Sequence, residues 1–529
     1  MTLRSKGEKD LLTQHLKKGI VRMRIIRISH LKNNTLKRGL PAKAGRVKAA
    51  LLTCILAGAM LAACTRYEPT ALEPGYEGES VEETAAFSFD TYESELQGDE
   101  NTENASEPEG ETETEAETEP EAVDTRERTK VKGIYVASKP LANTEFMSKF
   151  WDRMDDTELN AVVIDIKDDY GKITYDMQGV GILDELGSVE PVIEDMPGLM
   201  KKFKEHGIYT IARIVSMRDP YIGQVKPEWC LTNQDGTVYT DNSGYTWINP
   251  YKTEYWDYLL AIADKCIADG FDEIQFDYIR FCTDKGASDC VFDEEETKGR
   301  DKISIISEAV QYLSDHIKAQ GAFVSCDVFG TIIGSQIDSR SVGQDYPQMA
   351  SLVDYMCPMI YPSHYAAGNF GLDMPDLHPY DAILGALKRS KSVLNKAFTE
   401  GGDYGKEANV RPWLQAFTAT WLGSGNYMNY DAAAVRQEIQ AVYDAGYDEW
   451  ILWSAAVSYD FSGFLSPKEA EEEAVRIEES RAAMPPEETE EEQAETFPVE
   501  LQDALDGDEL DPTDEAKLLE DGPIVSYEQ

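Results

Sequence analysis

Gly270-Phe271-Asp272-Glu273-Ile274-Gln275-Phe276-Asp277-Tyr278-Ile279-Arg280-Phe281 is a run rich in Ile and aromatic residues in which apolar and polar side chains alternate from Glu273 to Asp277. Successive side chains of a strand face opposite sides, so Ile274 and Phe276 share one face and Gln275 and Asp277 the other. The apolar face suits a covering of helices. An amphipathic stretch, Tyr251–Asp269, precedes the run and stops at Gly270, a helix C-terminal signal, and a second, Lys302–Ala319, follows and stops before Gly321. The unit therefore reads as helix, strand, helix, with one polar strand face turned away from the helices.

The same grammar repeats on both sides. Further apolar runs are Gly133–Val136, Ala161–Lys167, Tyr209–Val215, Phe323–Phe329, Tyr355–Tyr361, Pro412–Phe417 and Trp450–Ser454, which with Glu273–Phe281 makes eight. Helical patterns lie at Met196–His206, before Gly207, and at Asp431–Ala445, before Gly446. A last helix, to about Ala483, opens on Ser466-Pro467-Lys468-Glu469, a capping box with Pro at the first helical position. Strands alternating with helices imply a parallel sheet, and eight units in about 350 residues fit an α/β fold of the (β/α)8 TIM-barrel type. An open doubly wound sheet is the competitor, but Ala137-Ser138-Lys139-Pro140 after the first strand is not the Gly-rich phosphate turn such sheets carry.

Outside this region composition changes. Residues before Lys48 are rich in Lys and Arg, then Ala49–Ala63 is apolar and Cys64 follows. This is the order of an export signal, and its 15 apolar residues fall short of the roughly 20 a spanning helix needs. Leu61-Ala62-Ala63-Cys64 resembles a bacterial lipobox, which implies cleavage before Cys64 and a lipid such as palmitate on its sulfur; an uncleaved anchor helix is the alternative. Either places the remainder outside the cytoplasmic membrane; with the lipid, it is held at the cell membrane through Cys64. The segment 64–130 and the tail 484–529 are rich in Glu, Thr and Pro, with too little apolar surface to offset the entropy of ordering, and read as disordered acidic linker and tail. The expected organisation is thus 1–63 signal, 64–130 linker, 131–483 barrel and 484–529 tail.

The net charge of -48 excludes a nucleic-acid partner, which demands a basic face. The six His residues are scattered, and zinc-type His and Cys spacings are absent, so no metal is expected. Neither a P-loop nor a G-x-S-x-G elbow appears, and no cofactor is implied. Six cysteines follow Cys64: Cys230, Cys266, Cys282, Cys290, Cys326 and Cys357. Cys282 and Cys290 flank one loop and are the candidate disulfide; buried free thiols are the alternative, above all for Cys326 and Cys357 inside apolar runs.

A TIM barrel builds its site at the C-terminal ends of the strands. Polar residues there are Asp165, Lys167 and Asp168 of the second strand, Arg213 of the third, Asp277 and Arg280 of the fourth, Asp327 of the fifth, Tyr361 and His364 of the sixth, Gln415 of the seventh and Trp453 of the eighth. In the fifth strand Val324, Cys326 and Val328 alternate with Ser325 and Asp327, so Asp327 shares the interior with Asp277. A carboxylate inside a barrel is costly unless paired or used. Two on neighbouring strands, about 4.8 Å apart, suit glycoside hydrolysis, which needs one carboxyl as acid and one as nucleophile or base. The sequence leaves open whether the separation is that of a retaining or an inverting enzyme.

Asn160-Ala161-Val162-Val163-Ile164-Asp165-Ile166-Lys167-Asp168-Asp169, the run 270–281 quoted above, Asp354-Tyr355-Met356-Cys357-Pro358-Met359-Ile360-Tyr361-Pro362-Ser363-His364-Tyr365 and Arg411-Pro412-Trp413-Leu414-Gln415 together resemble the glycoside-hydrolase-like family once listed as a domain of unknown function, DUF4015. The similarity spans about Lys132 to Pro467. It implies the barrel of the amylase-like glycosidases, with Asp277 as nucleophile or base and Asp327 as acid. That group usually carries Glu at the second position, and family members often carry Pro where this chain has Cys282. Asp165, Lys167, Arg213, Arg280, Tyr361, His364, Gln415 and Trp453 are then the candidate sugar-binding and supporting residues, with Arg280 orienting Asp277. Trp413, Trp421 and Tyr365 are further aromatic surfaces. The expected activity is extracytoplasmic cleavage of O-glycosidic bonds in a poly- or oligosaccharide. The alternatives are a carbohydrate-binding or envelope scaffold protein without turnover, and a transglycosylase that shares the site.

Overall fold

The computed structural model describes residues 124–399 and 404–483. The export signal, Cys64, the acidic segment up to residue 123 and the tail from 484 lie outside the described residues. The barrel strands are β1 (Lys132–Val136), β2 (Ala161–Lys167), β5 (Tyr209–Val215), β6 (Glu273–Asp277), β7 (Phe323–Phe329), β8 (Tyr355–Met359), β10 (Trp413–Gln415) and β11 (Trp450–Trp453). Each pairs in parallel with the next, and β1 pairs with both β2 and β11, which closes the sheet into a (β/α)8 barrel. The small β3 (Ile173–Tyr175) and β4 (Val189–Ile193) form an excursion after β2, and the two-residue β9 (Asn409–Val410) pairs with β8.

A helix follows each barrel strand: α1 (Thr144–Asp155), α2 (Met196–Glu205), α3 (Glu254–Asp269), α4 (Lys302–Ala319), α5 (Tyr346–Leu352), α6 (Pro379–Thr399), α7 (Ala432–Asp444) and α8 (Pro467–Ala483). The caps follow the chemistry of the termini. Asp301 and Asp431 accept backbone N–H groups at the starts of α4 and α7, and Gly270 takes the left-handed conformation that ends α3. The capping box holds at α8, where the Glu469 carboxylate accepts from Ser466 N at 3.0 Å. Sequence periodicity did not mark α1, α5 or α6.

Alternation along the strands separates two cores. Val162, Ile164, Ala212, Ile214, Ile274, Phe276, Val324 and Cys326 face the helices, whereas Ala161, Val163, Ile211, Phe323, Tyr355, Cys357, Trp413 and Ile451 fill the barrel. The inner layer near the strand starts is polar. Fully buried Arg411 donates from Nη1 to both oxygens of Glu273 at 2.9 Å and from Nε to Glu449 at 2.9 Å. Tyr209 and Ser325 hydroxyls complete the Glu273 shell. Arg411→Met strands two buried carboxylates, and unfolding by urea is expected to show a loss of about 3–5 kcal/mol. Adding Glu273→Gln is expected to restore part of it.

Strands β6, β8, β10 and β11 are shorter than the apolar runs suggest. β6 ends at Asp277 and not Phe281, because Tyr278 adopts φ 51°, outside the strand region. β8 ends at Met359 and not Tyr361, because the chain turns into a short 3-10 helix at Pro362–His364. Cys282 and Cys290 are not bridged. All six cysteines from Cys230 onward are buried free thiols; the Cys282 sulfur meets the Tyr239 hydroxyl and Cys290 donates to Gly286 O.

Composition assigns Arg126 and Arg128 to the linker, yet both dock on the barrel at the strand starts. Arg126 donates to Asp354 at 2.7 Å and to Ala322 O at 2.7 Å and lies 4.3 Å from the Phe323 ring centroid. A cavity of about 380 Å³ opens there, between Arg126, Thr129, Tyr209, Phe271, Asp272 and Phe323. It lies at the opposite end of the strands from the carboxylates described next.

Candidate active site

At the C-terminal ends of the strands a single guanidinium organises three carboxylates. Arg213, from β5, donates to Asp277 Oδ2 through Nε at 2.9 Å and Nη2 at 2.6 Å. Its Nη1 donates to Asp165 Oδ1 at 2.6 Å and lies 3.6 Å from Asp169 Oδ2. Asp165 also accepts the Tyr135 hydroxyl, and Asp169 also accepts Arg218. The register explains the meeting. Asp165 pairs with Arg213 across β2 and β5, and Arg213 with Gln275 across β5 and β6, so Asp277 lies two residues further along the same face.

Asp277 is 5 % exposed. Its Oδ1 accepts the N–H of Tyr278 at 2.6 Å, so each carboxylate oxygen meets a donor. The left-handed Tyr278 makes that backbone contact, and a non-glycine residue held there is strained by about 1–3 kcal/mol. Packing holds it: Arg218 Cζ lies 4.0 Å from the Tyr278 ring centroid, and Trp247 packs edge-on at 5.8 Å.

Asp327, on β7, is 2 % exposed. Its Oδ1 accepts Trp413 Nε1–H at 2.7 Å, and its buried Oδ2 has no partner among the described residues. Burial, reinforced by the charge of Asp277, raises the Asp327 carboxyl well above the usual carboxylate range, which favours its protonated form. Burial also raises Asp165, against the pull of Arg213. For Asp169 burial acts upward, but Arg213 and Arg218 together hold it below its ordinary value. Asp168 caps the turn to β3, accepting from Tyr170 N and Lys172 N, and burial pushes it up to about 7.

Trp453 joins this network. It is half-buried, packs at a tilt against Tyr135 at 4.2 Å, meets Trp413 edge-on at 5.7 Å and lies 5.4 Å from Arg213 Cζ. Asp277, Asp327, Asp165, Arg213 and Trp453 are therefore brought together, with Tyr135 and Trp413 between them. Arg280 does not take the place expected for it as the orienting guanidinium of Asp277. Arg213 holds that carboxylate, while Arg280 donates to Phe281 O and lies over the Phe329, Trp247 and Tyr278 rings.

Lys167 is turned away from the mouth. A register shift between Asp165 and Lys167 pairs Lys167 with the outward Ile214, and its fully buried ammonium meets Asp219 at 2.9 Å and Val215 O at 2.6 Å. Gly171, at φ 76°, makes room, since a Cβ there would lie 2.1 Å from Asp219 Oδ1. Gln415 is spent on structure: its amide accepts from Ser363 and donates to Asp376 and Phe417 O, bracing the loops after β8 and β10. Tyr361 and His364 form an aromatic rim with Phe417 and Trp421. Phe417 stacks on Trp421 at 5.7 Å, and Trp421 is 53 % exposed. Burial lowers His364 to about 4, so it is neutral at pH 7. Tyr365 is buried, edge-on to Phe370.

Sequence reading missed Tyr135, Asp169, Arg218 and Asp219. The doublet Asp168-Asp169 after a strand end was a visible signal for one of them. Among the described residues no group of His, Cys, Asp and Glu is arranged to hold a metal ion. Arg213→Lys keeps the charge but cannot reach Asp165 and Asp277 together. Losing one charge-assisted hydrogen bond, about 1.5–3 kcal/mol, is expected to lower kcat with KM little changed, as steady-state kinetics would show.

A family model described as "Putative glycosyl hydrolase domain", DUF4015, matches residues 133–459. Among solved structures, a hypothetical protein from Ruminiclostridium thermocellum is 33% identical, with a TM-score of 0.34 over 37% of this chain and 97% of that one. The PgaB (BpsB) glycoside hydrolase domain from Bordetella bronchiseptica is 13% identical, with a TM-score of 0.42 over 62% and 94% of the two chains. The α-galactosidase TtGalA from Thermus thermophilus is 13% identical, with a TM-score of 0.39 over 66% and 65%. No curated protein matches the chain.

Proposed function

The chain belongs to the DUF4015 family of glycosyl hydrolase domains, and from that premise we propose that it cleaves O-glycosidic bonds of an extracytoplasmic poly- or oligosaccharide with Asp277 and Asp327 as its two carboxyl groups. One observation carries the reading: two interior carboxyls on adjacent strands with opposite surroundings. Asp277 meets donors at both oxygens, two of them from a guanidinium, whereas Asp327 lies in a buried, indole-capped position that favours its protonated form. Glycoside hydrolysis needs that asymmetry, an acid to protonate the leaving oxygen and a carboxylate to attack the anomeric carbon or activate water. The half-buried Trp453 ring lies beside the pair, and Arg213 fixes Asp277 in place. In the same reading the chain is exported and anchored at Cys64, so its substrate lies at the outer side of the membrane.

A second reading has support in the burial of both groups. Asp327 Oδ2 is inaccessible among the described residues, which favours a barrel that binds glycan without turning it over. Reducing-sugar release by the full chain from a panel of envelope, host and plant polysaccharides separates the two. Release establishes hydrolysis; binding with no release from any glycan supports the binding protein.

A further inference from the structure

We infer that the Arg218–Asp169 pair beside Asp277 recognises the acetamido group of an N-acetylated amino sugar. This rests on the glycoside hydrolase reading and names its substrate class. Arg218 leaves β5 three residues beyond its end and is 8 % exposed. Its Nη2 donates to Asp169 Oδ1, but its buried Nε–H has no acceptor among the described residues. A desolvated guanidinium donor without a partner is costly, and the group is held in place: its Cζ lies 4.0 Å from the Tyr278 ring centroid and 5.3 Å from that of Tyr245. Tyr245 meets the exposed Tyr170 edge-on at 6.2 Å, so this wall runs to the protein surface. Asp169 bridges Arg218 to Arg213, which holds Asp277, and Tyr278 follows Asp277 in the chain. The orphan donor therefore belongs to the same network of charges as the proposed reacting carboxylate.

Charge decides what fills it. The network holds Asp165, Asp169 and Asp277 against Arg213 and Arg218, so a further anion would be repelled. A neutral amide satisfies both edges without adding charge. Its carbonyl accepts from Arg218 Nε–H, its N–H donates to the Asp169 carboxylate, which is 25% exposed, and its methyl lies on a tyrosine face. The amide presents its acceptor and its donor on separate atoms, whereas a hydroxyl presents both on one oxygen.

The test measures calorimetric binding of chitotetraose and cellotetraose, which differ at acetamido against hydroxyl, together with a uronic-acid tetrasaccharide. The full chain is used in an Asp327→Asn background, so that cleavage does not interfere. Chitotetraose is expected to bind at least about tenfold tighter than cellotetraose, the equivalent of 1.4 kcal/mol. Arg218→Lys, which keeps a cation beside Asp169 but removes the Nε–H, and Arg218→Met are both expected to bring the affinities of the two ligands within about twofold of each other. Equal affinities before substitution, a preference that survives both variants, or tighter binding of the uronic-acid ligand overturns the inference. Because the readout is binding, acetamido preference without glycan release by the wild type would overturn the hydrolase reading and leave this one standing.

Discussion

Asp277→Asn is expected to lower turnover by about 10²–10⁴-fold or more, the range over which a positioned acid or base contributes, while the protein remains folded. Asparagine keeps the shape but loses the charge that Arg213 binds through two hydrogen bonds. It must also present its amide either to Arg213 or to the Tyr278 N–H, a donor facing a donor. Stability should therefore fall too, by up to about 3–5 kcal/mol, because a buried guanidinium loses a counter-charge. Circular dichroism and a denaturation curve separate this from the kinetic loss. Added azide distinguishes the two chemical roles: recovery of turnover with formation of a glycosyl azide marks Asp277 as the nucleophile, and its absence marks it as a base acting on water. Turnover that survives the substitution would remove Asp277 from the mechanism.

Asp327→Asn is expected to cost a similar factor of about 10²–10⁴ in kcat and yet to make the protein more stable at alkaline pH. The folded carboxyl is raised, first by burial and then by Asp277. The folded state therefore holds a proton that the unfolded chain releases near its ordinary value of about 3.9. The stability associated with that proton is fully present below the unfolded value and is lost as pH rises through the raised folded value, by up to about 1.4 kcal/mol per pH unit. Asparagine resembles the protonated acid at every pH and does not carry this loss. Wild-type activity should extend above the usual carboxylate range and fall at the raised value, and the variant's residual rate should lack that limb. Thermal melts and kcat against pH, measured side by side, check both. A variant destabilised equally at all pH values would show that Asp327 is ionised in the folded protein.

The barrel was legible in the sequence because it depends on local patterns: eight apolar runs, helices stopped by Gly207, Gly270, Gly321 and Gly446, and period-two alternation that put Gln275, Asp277, Ser325 and Asp327 on one face. The same alternation separated the two cores correctly in β6 and β7. It failed in β2, where a shift of one register position turns Lys167 outward to Asp219, and no residue type at that position announces such a shift. Which guanidinium serves Asp277 was likewise undetermined. Arg280 is nearer in sequence, but Arg213 lies one strand over and faces inward, and only strand pairing converts that separation of 64 residues into 2.6 Å. Tyr135, Asp169 and Arg218 entered the site for the same reason. The sequence by itself determined which faces are apolar and which carboxyls must lie inside the barrel, since burial preference acts residue by residue. Only the tertiary structure decided which charges meet, because pairing depends on register between strands far apart in the chain.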